Sequence, residues 1–343
     1  MAAIEHSDRA KAINFYSESH RRSIHSPMKR KPISIFALLG SASRHDAASA
    51  GHGHRMVDFR GLLKLALIPA LMIQTLTACT LIAATVSSGV PDRDGIIAHD
   101  VRSLRQSGPT QIRVLLPDHG KRESHNVIYV LPVEAGTKSE YGDPLVELKK
   151  LDLHNRYNVI FVEPTFFNTP WYADNPDDPR IHQETYLLKD VIPFIDRTYP
   201  TRARAGNRFL LGFSKSGWGA WTLLLRHLQV FGRAAAWDAP MMMDHPEWGG
   251  SPIFGTQENF ERYRITNLLR AHAAELPAST LNAPRLILTG YAFFRSQHEQ
   301  VHALMKELGI PHVYRNGSQL KHHWCSGWLG ESVMLLLAPG ELR

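Results

Sequence analysis

Cysteine is scarce: Cys79 and Cys325 are the only two in 343 residues. A fold stapled by several disulfides is therefore excluded. Tandem repeats and low-complexity blocks are missing as well, which removes solenoids and repeat arrays from consideration. A dominant charge is also lacking where folding must occur. Residues 79–343 carry 28 Lys or Arg against 27 Asp or Glu, whereas residues 1–55 carry nine against four. The overall net charge of +7 is thus concentrated at the start. No basic patch interleaved with aromatics stands in the balanced part, so nucleic acid is a poor partner. What the chain does have is 43% hydrophobic and 21% charged residues, enough to bury a sizeable core. One large domain with extra segments is the expectation for this length.

From Met56 the chain reads MVDFRGLLKLALIPALMIQTLTAC, in which Arg60 and Lys64 precede the apolar run Leu65–Ile73. That run is too short to span a bilayer, which takes about 20 apolar residues, and has the form of a secretory signal. It closes on Leu76-Thr77-Ala78-Cys79, which resembles the lipobox of bacterial lipoproteins. The resemblance implies export, a lipid on the Cys79 thiol and cleavage before it. Thr80, not Asp, follows; in a Gram-negative host this implies the outer membrane. Translation is expected to start at Met56, with residues 1–55 an extension outside the mature protein or a disordered tail. Residues 56–78 are then the signal, 79–100 a tether and 101–343 the folded domain.

Within that domain short apolar runs alternate with amphipathic stretches. The strand candidates are Gln111–Leu116, Asn126–Leu131, Asn158–Val162, Arg208–Leu211, Arg233–Trp237, Arg285–Thr289 and His312–Tyr314. Helical patterns cover Pro144–Leu153, Gln183–Ile195, Lys215–Leu228 and Gln297–Leu308. Such alternation predicts an α/β fold with a mostly parallel sheet and helices on both faces. Ligands of such sheets bind beyond the carboxyl ends of the strands. The residues just after each apolar run are therefore the ones that matter.

After the run Phe209-Leu210-Leu211 comes Gly212-Phe213-Ser214-Lys215-Ser216-Gly217-Trp218-Gly219-Ala220, then a helical stretch. A strand, a sharp turn and a helix give meaning to a G-x-S-x-G type pattern, because the turn exposes the serine at a helix N-terminus. Ser214 is the candidate nucleophile; Ser216, one turn into the helix, is the rival hydroxyl. The segment resembles the "Putative esterase" group of the α/β-hydrolase superfamily, which includes esterase D and feruloyl esterase-like proteins. The likeness runs from Asn126 to about Trp328 and takes in Tyr186-Leu187 and Val191-Ile192-Pro193 through Tyr199-Pro200.

The resemblance implies a catalytic histidine after the last strand. Leu320-Lys321-His322-His323-Trp324 is similar to the family's G-G-H-x-W segment, with His322 on the catalytic position. Both glycines are replaced, so His323 remains an alternative. By position, the backbone N–H groups of Lys215 and Glu134 make the oxyanion hole. The Glu134 carboxylate is unusual there and would orient a substrate group or pair with Lys215. The triad acid belongs after Arg285–Thr289, yet Gly290-Tyr291-Ala292-Phe293-Phe294-Arg295 holds no carboxylate. Asp238 is the best substitute, with Glu299 and Asp244 behind it. Thr165–Tyr172 and Trp218 would line a pocket or pack the core, and Met241-Met242-Met243 would suit an acyl pocket. Cys325 reads as a small packing residue.

These features predict an exported serine ester hydrolase acting on small acyl or aryl esters, some carbohydrate-linked, without metal or organic cofactor. A second reading is a binding lipoprotein that keeps the fold but has lost a working triad. Acyl transfer to an acceptor other than water is a third. The sequence carries no signal for an oligomeric state.

Overall fold

Strands buried on both faces need apolar residues at every position, whereas strands with one wet face alternate. Both kinds occur in the computed structural model, which describes residues 84–119, 123–276 and 283–337. All of them lie in the compact unit Leu81–Arg343. The strands are β1 (Thr85–Val86), β2 (Val90–Pro91), β3 (Ile97–Arg102), β4 (Thr110–Leu115), β5 (Asn126–Val130), β6 (Val159–Pro164), β7 (Arg208–Phe213), β8 (Arg233–Trp237), β9 (Leu286–Tyr291) and β10 (His312–Gln319). They form one sheet in the order β1-β3-β4-β6-β5-β7-β8-β9-β10, with β2 also on β3. Pairing is parallel from β6 through β5, β7, β8 and β9 to β10. It is antiparallel from β6 outward through β4 and β3.

Every residue of β6, β7 and β8 is buried, as a parallel centre covered on both faces requires. Successive side chains go to opposite layers. Leu210, Ala234 and Ala236 join one core with Trp218 and Trp221. Leu211, Phe213, Ala235 and Trp237 join the other with Trp324 and Trp328. The predicted α/β fold with a mostly parallel sheet is thus the observed one.

One expectation is overturned at the start of the described chain. Residues 79–100 are no tether over their described part: from Thr85 on they build β1, β2 and most of β3, and Ile96 is fully buried. These strands escaped notice because they pair antiparallel at the sheet's rim, where half-exposed polar residues interrupt the pattern, as in Ile97-Ala98-His99-Asp100-Val101-Arg102. Between β8 and β9, the short helices Ser251–Phe254, Gln257–Glu261 and Ile265–His272 cover Trp218 with Phe254 and Phe260. Cys79 and the signal segment lie outside the described residues.

The parallel order brings the carboxyl ends of β5, β7, β8, β9 and β10 to one rim. The residues that follow them include Glu134, Ser214, Asp238, Phe293 and His322 in turn.

Candidate active site

The chain leaves β7 and enters the helix Ser214–Arg226 without a connecting residue. Ser214 takes the bend, with a φ of +53°, a left-handed conformation that costs a non-glycine residue about 1–3 kcal/mol. Gly212 permits the close approach: a Cβ there would stand 2.3 Å from the Ser216 carbonyl oxygen. Ser216 is fully buried and its hydroxyl is occupied, donating to the Phe213 carbonyl at 2.8 Å and accepting from the Phe213 N–H at 3.0 Å. The rival hydroxyl thus caps the helix start, and Ser214 stands at the helix N-terminus.

Asp238 follows β8 with a φ of +40° and is completely buried. Its backbone carbonyl accepts the Ser214 N–H at 3.1 Å. Its Oδ1 accepts from the Phe293 and Phe294 N–H groups, both at 2.8 Å, and its Oδ2 meets His322 Nδ1 at 2.5 Å. Burial alone would push this carboxyl up. The His322 hydrogen bond, the imidazole's charge and the backbone N–H groups of Phe294 and Ala292 outweigh burial and hold it below the usual carboxylate range.

Asp238 thereby joins the serine's backbone to the imidazole. Phe213, next to Ser214, packs edge-on against the His322 ring at 4.9 Å, and Tyr141 does so at 5.7 Å. Among the described residues no hydrogen bond links Ser214 Oγ to His322, a bond that in resting sites often tightens only when substrate binds.

The alternatives are placed elsewhere. His323 Nδ1 accepts the Cys325 N–H at 3.1 Å, and its ring lies against Gly142. Glu299 is half exposed and paired with Arg295, while Asp244 is exposed and paired with His245. The end of β9 cannot carry the acid at Gly290, because its φ is +53° and a Cβ would stand 2.3 Å from Trp237 Nε1.

β5 and β7 are neighbours, so the loop after β5 runs beside the elbow, and Leu131 N–H still bonds the Leu211 carbonyl at 2.9 Å. Tyr172 donates its hydroxyl to the Pro132 carbonyl and Gly136 N–H bonds the Phe166 carbonyl, fixing both ends of Pro132–Gly136. The Glu134 carboxylate forms no ion pair with Lys215. It accepts instead from the Glu140 and Tyr141 N–H groups, at 3.0 and 3.3 Å, bracing the loop that sets Tyr141 on His322.

Lys215 sits in this rim with burial as the main influence, pushing its ammonium down from 10.5 to about 8 although the Glu134 and Glu140 charges pull the other way. A lowered basic group costs stability below its folded value, and that cost vanishes once the pH exceeds the unfolded value. Lys215→Met should therefore melt higher than the wild type at pH 7. A gain of about 1 kcal/mol corresponds to about 2–4 °C. Thermal melts across pH should show the difference shrinking from about 8 to 10.5; a gain independent of pH overturns this.

The aromatic stretch resolves into packing. Phe166, Trp171, Tyr172 and Trp218 are fully buried, as are Met241 and Met243, and Phe167 alone of its stretch is markedly exposed. The sequence reading missed Phe293, which is 63% exposed with its ring 5.2 Å from the His322 ring. It also missed His298, whose Nε2 accepts the Ala239 N–H at 2.9 Å. A lone aromatic and a helical histidine carry no motif, so only their placement reveals them. Cys325 is exposed and free, not a packing residue. Among the described residues no three His, Cys, Asp or Glu side chains group as a metal site.

Comparison with known proteins adds three findings. The model of the Esterase family, described as "Putative esterase", matches residues 163–280, which include Ser214 and Asp238. Solved structures resemble the chain at low identity. S-formylglutathione hydrolase from Staphylococcus aureus is 13% identical, with 73% of this chain and 100% of that one covered and a TM-score of 0.56. A ferulic acid esterase is 17% identical, with 74% and 98% covered and a TM-score of 0.54. An S-formylglutathione hydrolase from Agrobacterium tumefaciens is 14% identical, with 74% and 99% covered and a TM-score of 0.55. At such identities the likeness is one of fold. No curated protein sequence matches significantly.

Proposed function

We propose that the chain is a serine ester hydrolase of the α/β-hydrolase type with Ser214, His322 and Asp238 as its catalytic triad, a reading supported by the match of the "Putative esterase" model to residues 163–280 and by the fold shared with solved hydrolases. The observation that carries this reading is the Asp238 bridge, with its carbonyl on the Ser214 N–H and its carboxylate on His322 Nδ1. Asp238 keeps the proton of His322 on Nδ1, so Nε2 is left to take the Ser214 proton as Oγ attacks the acyl carbon. The developing oxyanion is met by the N–H groups of Lys215 and Glu134, and the helix N-terminus adds to their field. Collapse of the tetrahedral intermediate breaks the ester bond, and Nε2 hands its proton to the departing alcohol. Water, deprotonated by the same nitrogen, then releases the acid and restores the serine.

A fluorophosphonate probe tests this directly. The label should map by peptide mass spectrometry to Ser214; a label on another residue, or none, overturns the assignment. The binding-protein reading rests on the missing acid and on the altered glycines before His322; the bond between Asp238 and His322 speaks against the first of these.

The substrate side rests on Phe293. The alcohol leaves beside the imidazole, and an exposed ring held there by its own backbone bond to Asp238 suits an aryl or apolar leaving group. Phe293→Ala should lower kcat/KM for phenyl and naphthyl acetates about tenfold, consistent with a loss of roughly 1.4 kcal/mol, and barely change it for methyl acetate. An equal effect on both overturns the preference. Hydrolysis of carbohydrate-linked esters and transfer to other acceptors fall within the same chemistry.

Export and a lipid on Cys79 complete the proposal, resting on the order of basic residues, apolar run and cysteine. Expressed in bacteria from Met56, the protein should incorporate labelled palmitate and fractionate with membranes. Cys79→Ser should lose both properties; retention of the label would overturn the anchor.

A further inference from the structure

We infer that His298 is a positioning residue for the acid: by accepting the Ala239 N–H it locks the turn that aims Asp238 at His322. This rests on the triad reading given above. Asp238 leaves β8 in a left-handed conformation that an L side chain adopts at a cost, so something must hold the turn. Its next N–H, that of Ala239, lies in a fully buried residue and needs an acceptor. His298 supplies it from the helix Arg295–Glu307, with Nε2 at 2.9 Å and only 2% of the residue exposed.

An imidazole accepts at Nε2 only when it is neutral with its proton on Nδ1. Burial pushes His298 down to about 4, opposed by the Asp238 charge and by contacts with the Ala239 and Gly290 backbone. The acceptor therefore persists throughout the neutral range, and His298 is no proton carrier there.

The same segment closes on Asp238 from its other side, since the Phe293 and Phe294 N–H groups bond Oδ1 just before the helix begins. The stretch 290–298, where the family's acid is expected, instead builds a socket for an acid delivered by the neighbouring strand. Gly290 leaves room for Trp237, the backbone of 293–294 holds the carboxylate, and His298 holds the main chain.

The test compares His298→Leu, which removes the acceptor, with His298→Gln, whose Oε1 can reach the same N–H. Both are read by p-nitrophenyl acetate kinetics and by the far-downfield proton resonance of the His322–Asp238 hydrogen bond. His298→Leu should lower kcat on the order of 10²-fold, the effect of a small misplacement of catalytic groups, with KM little changed and the resonance lost. His298→Gln should restore most of both. A folded His298→Leu with wild-type kcat and an intact resonance overturns the inference, as does a glutamine variant no better than leucine. Should the leucine variant fail to fold, His298→Asn, whose shorter side chain cannot reach, replaces it, and equal behaviour of Asn and Gln overturns the inference. Because the resonance is read without substrate, wild type that shows it but turns over no ester would refute the esterase reading while leaving the positioning role tested.

Discussion

Replacing Ser214 with glycine should remove ester turnover and at the same time raise the melting temperature. The loss follows from chemistry: without Oγ there is no acyl-enzyme, and removal of a triad nucleophile lowers kcat by at least about 10⁴-fold. The gain follows from the backbone. Ser214 holds a φ of +53°, which glycine adopts freely. Relief of about 1–3 kcal/mol of strain, offset by about 0.5–1 kcal/mol of extra chain entropy in the unfolded state, leaves a small net stabilisation. Ser214→Ala should be equally inactive but keep the wild-type melting temperature, because its Cβ retains the strain. Calorimetry and p-nitrophenyl ester assays on both variants check the pair. Activity within tenfold of wild type in either variant would dismiss Ser214 as the nucleophile, and a glycine variant that melts lower would dismiss the strain.

Asp238→Asn is the other large effect, a fall in kcat of about 10⁴-fold, the size seen when a triad aspartate becomes asparagine and fixes the wrong histidine tautomer. Asparagine tolerates the left-handed turn, and its Oδ1 can still accept from the Phe293 and Phe294 N–H groups. Its amide, however, offers a donor to His322 Nδ1, which then loses its proton to Nε2 and cannot take that of Ser214. The melting temperature should change little. Asp238→Ala should be as inactive and also melt lower, because the part-buried Phe293 and Phe294 N–H groups lose their acceptor, at up to about 1–3 kcal/mol each. Stopped-flow kinetics with thermal melts check the set. An asparagine variant within tenfold of wild type would exclude Asp238 as the acid.

Much of the site was legible because its chemistry is written locally. The elbow needs small residues at fixed offsets from the serine, so Gly212, Ser216 and Gly217 mark it without any knowledge of the fold. The central strands were equally readable, since burial on both faces leaves unbroken apolar runs such as Phe209-Leu210-Leu211. The rim strands β1 to β3 were not, for each has a wet face and a short length. Phe166, Trp171 and Trp218 were ambiguous for a related reason: an aromatic beside a catalytic motif looks the same in sequence whether it lines a pocket or fills a core.

By itself the sequence determined the hydrolase sheet, the elbow serine and a late histidine, because periodicity and turn chemistry act between residues near in the chain. Only the tertiary structure decided which carboxylate and which histidine meet. Asp238 and His322 are separated by more than 80 positions, and what selects them over Glu299, Asp244 and His323 is strand order and buried hydrogen bonding. A buried carboxylate is tolerated only where donors converge on it. That convergence of Phe293, Phe294 and His322 exists nowhere but in the folded chain.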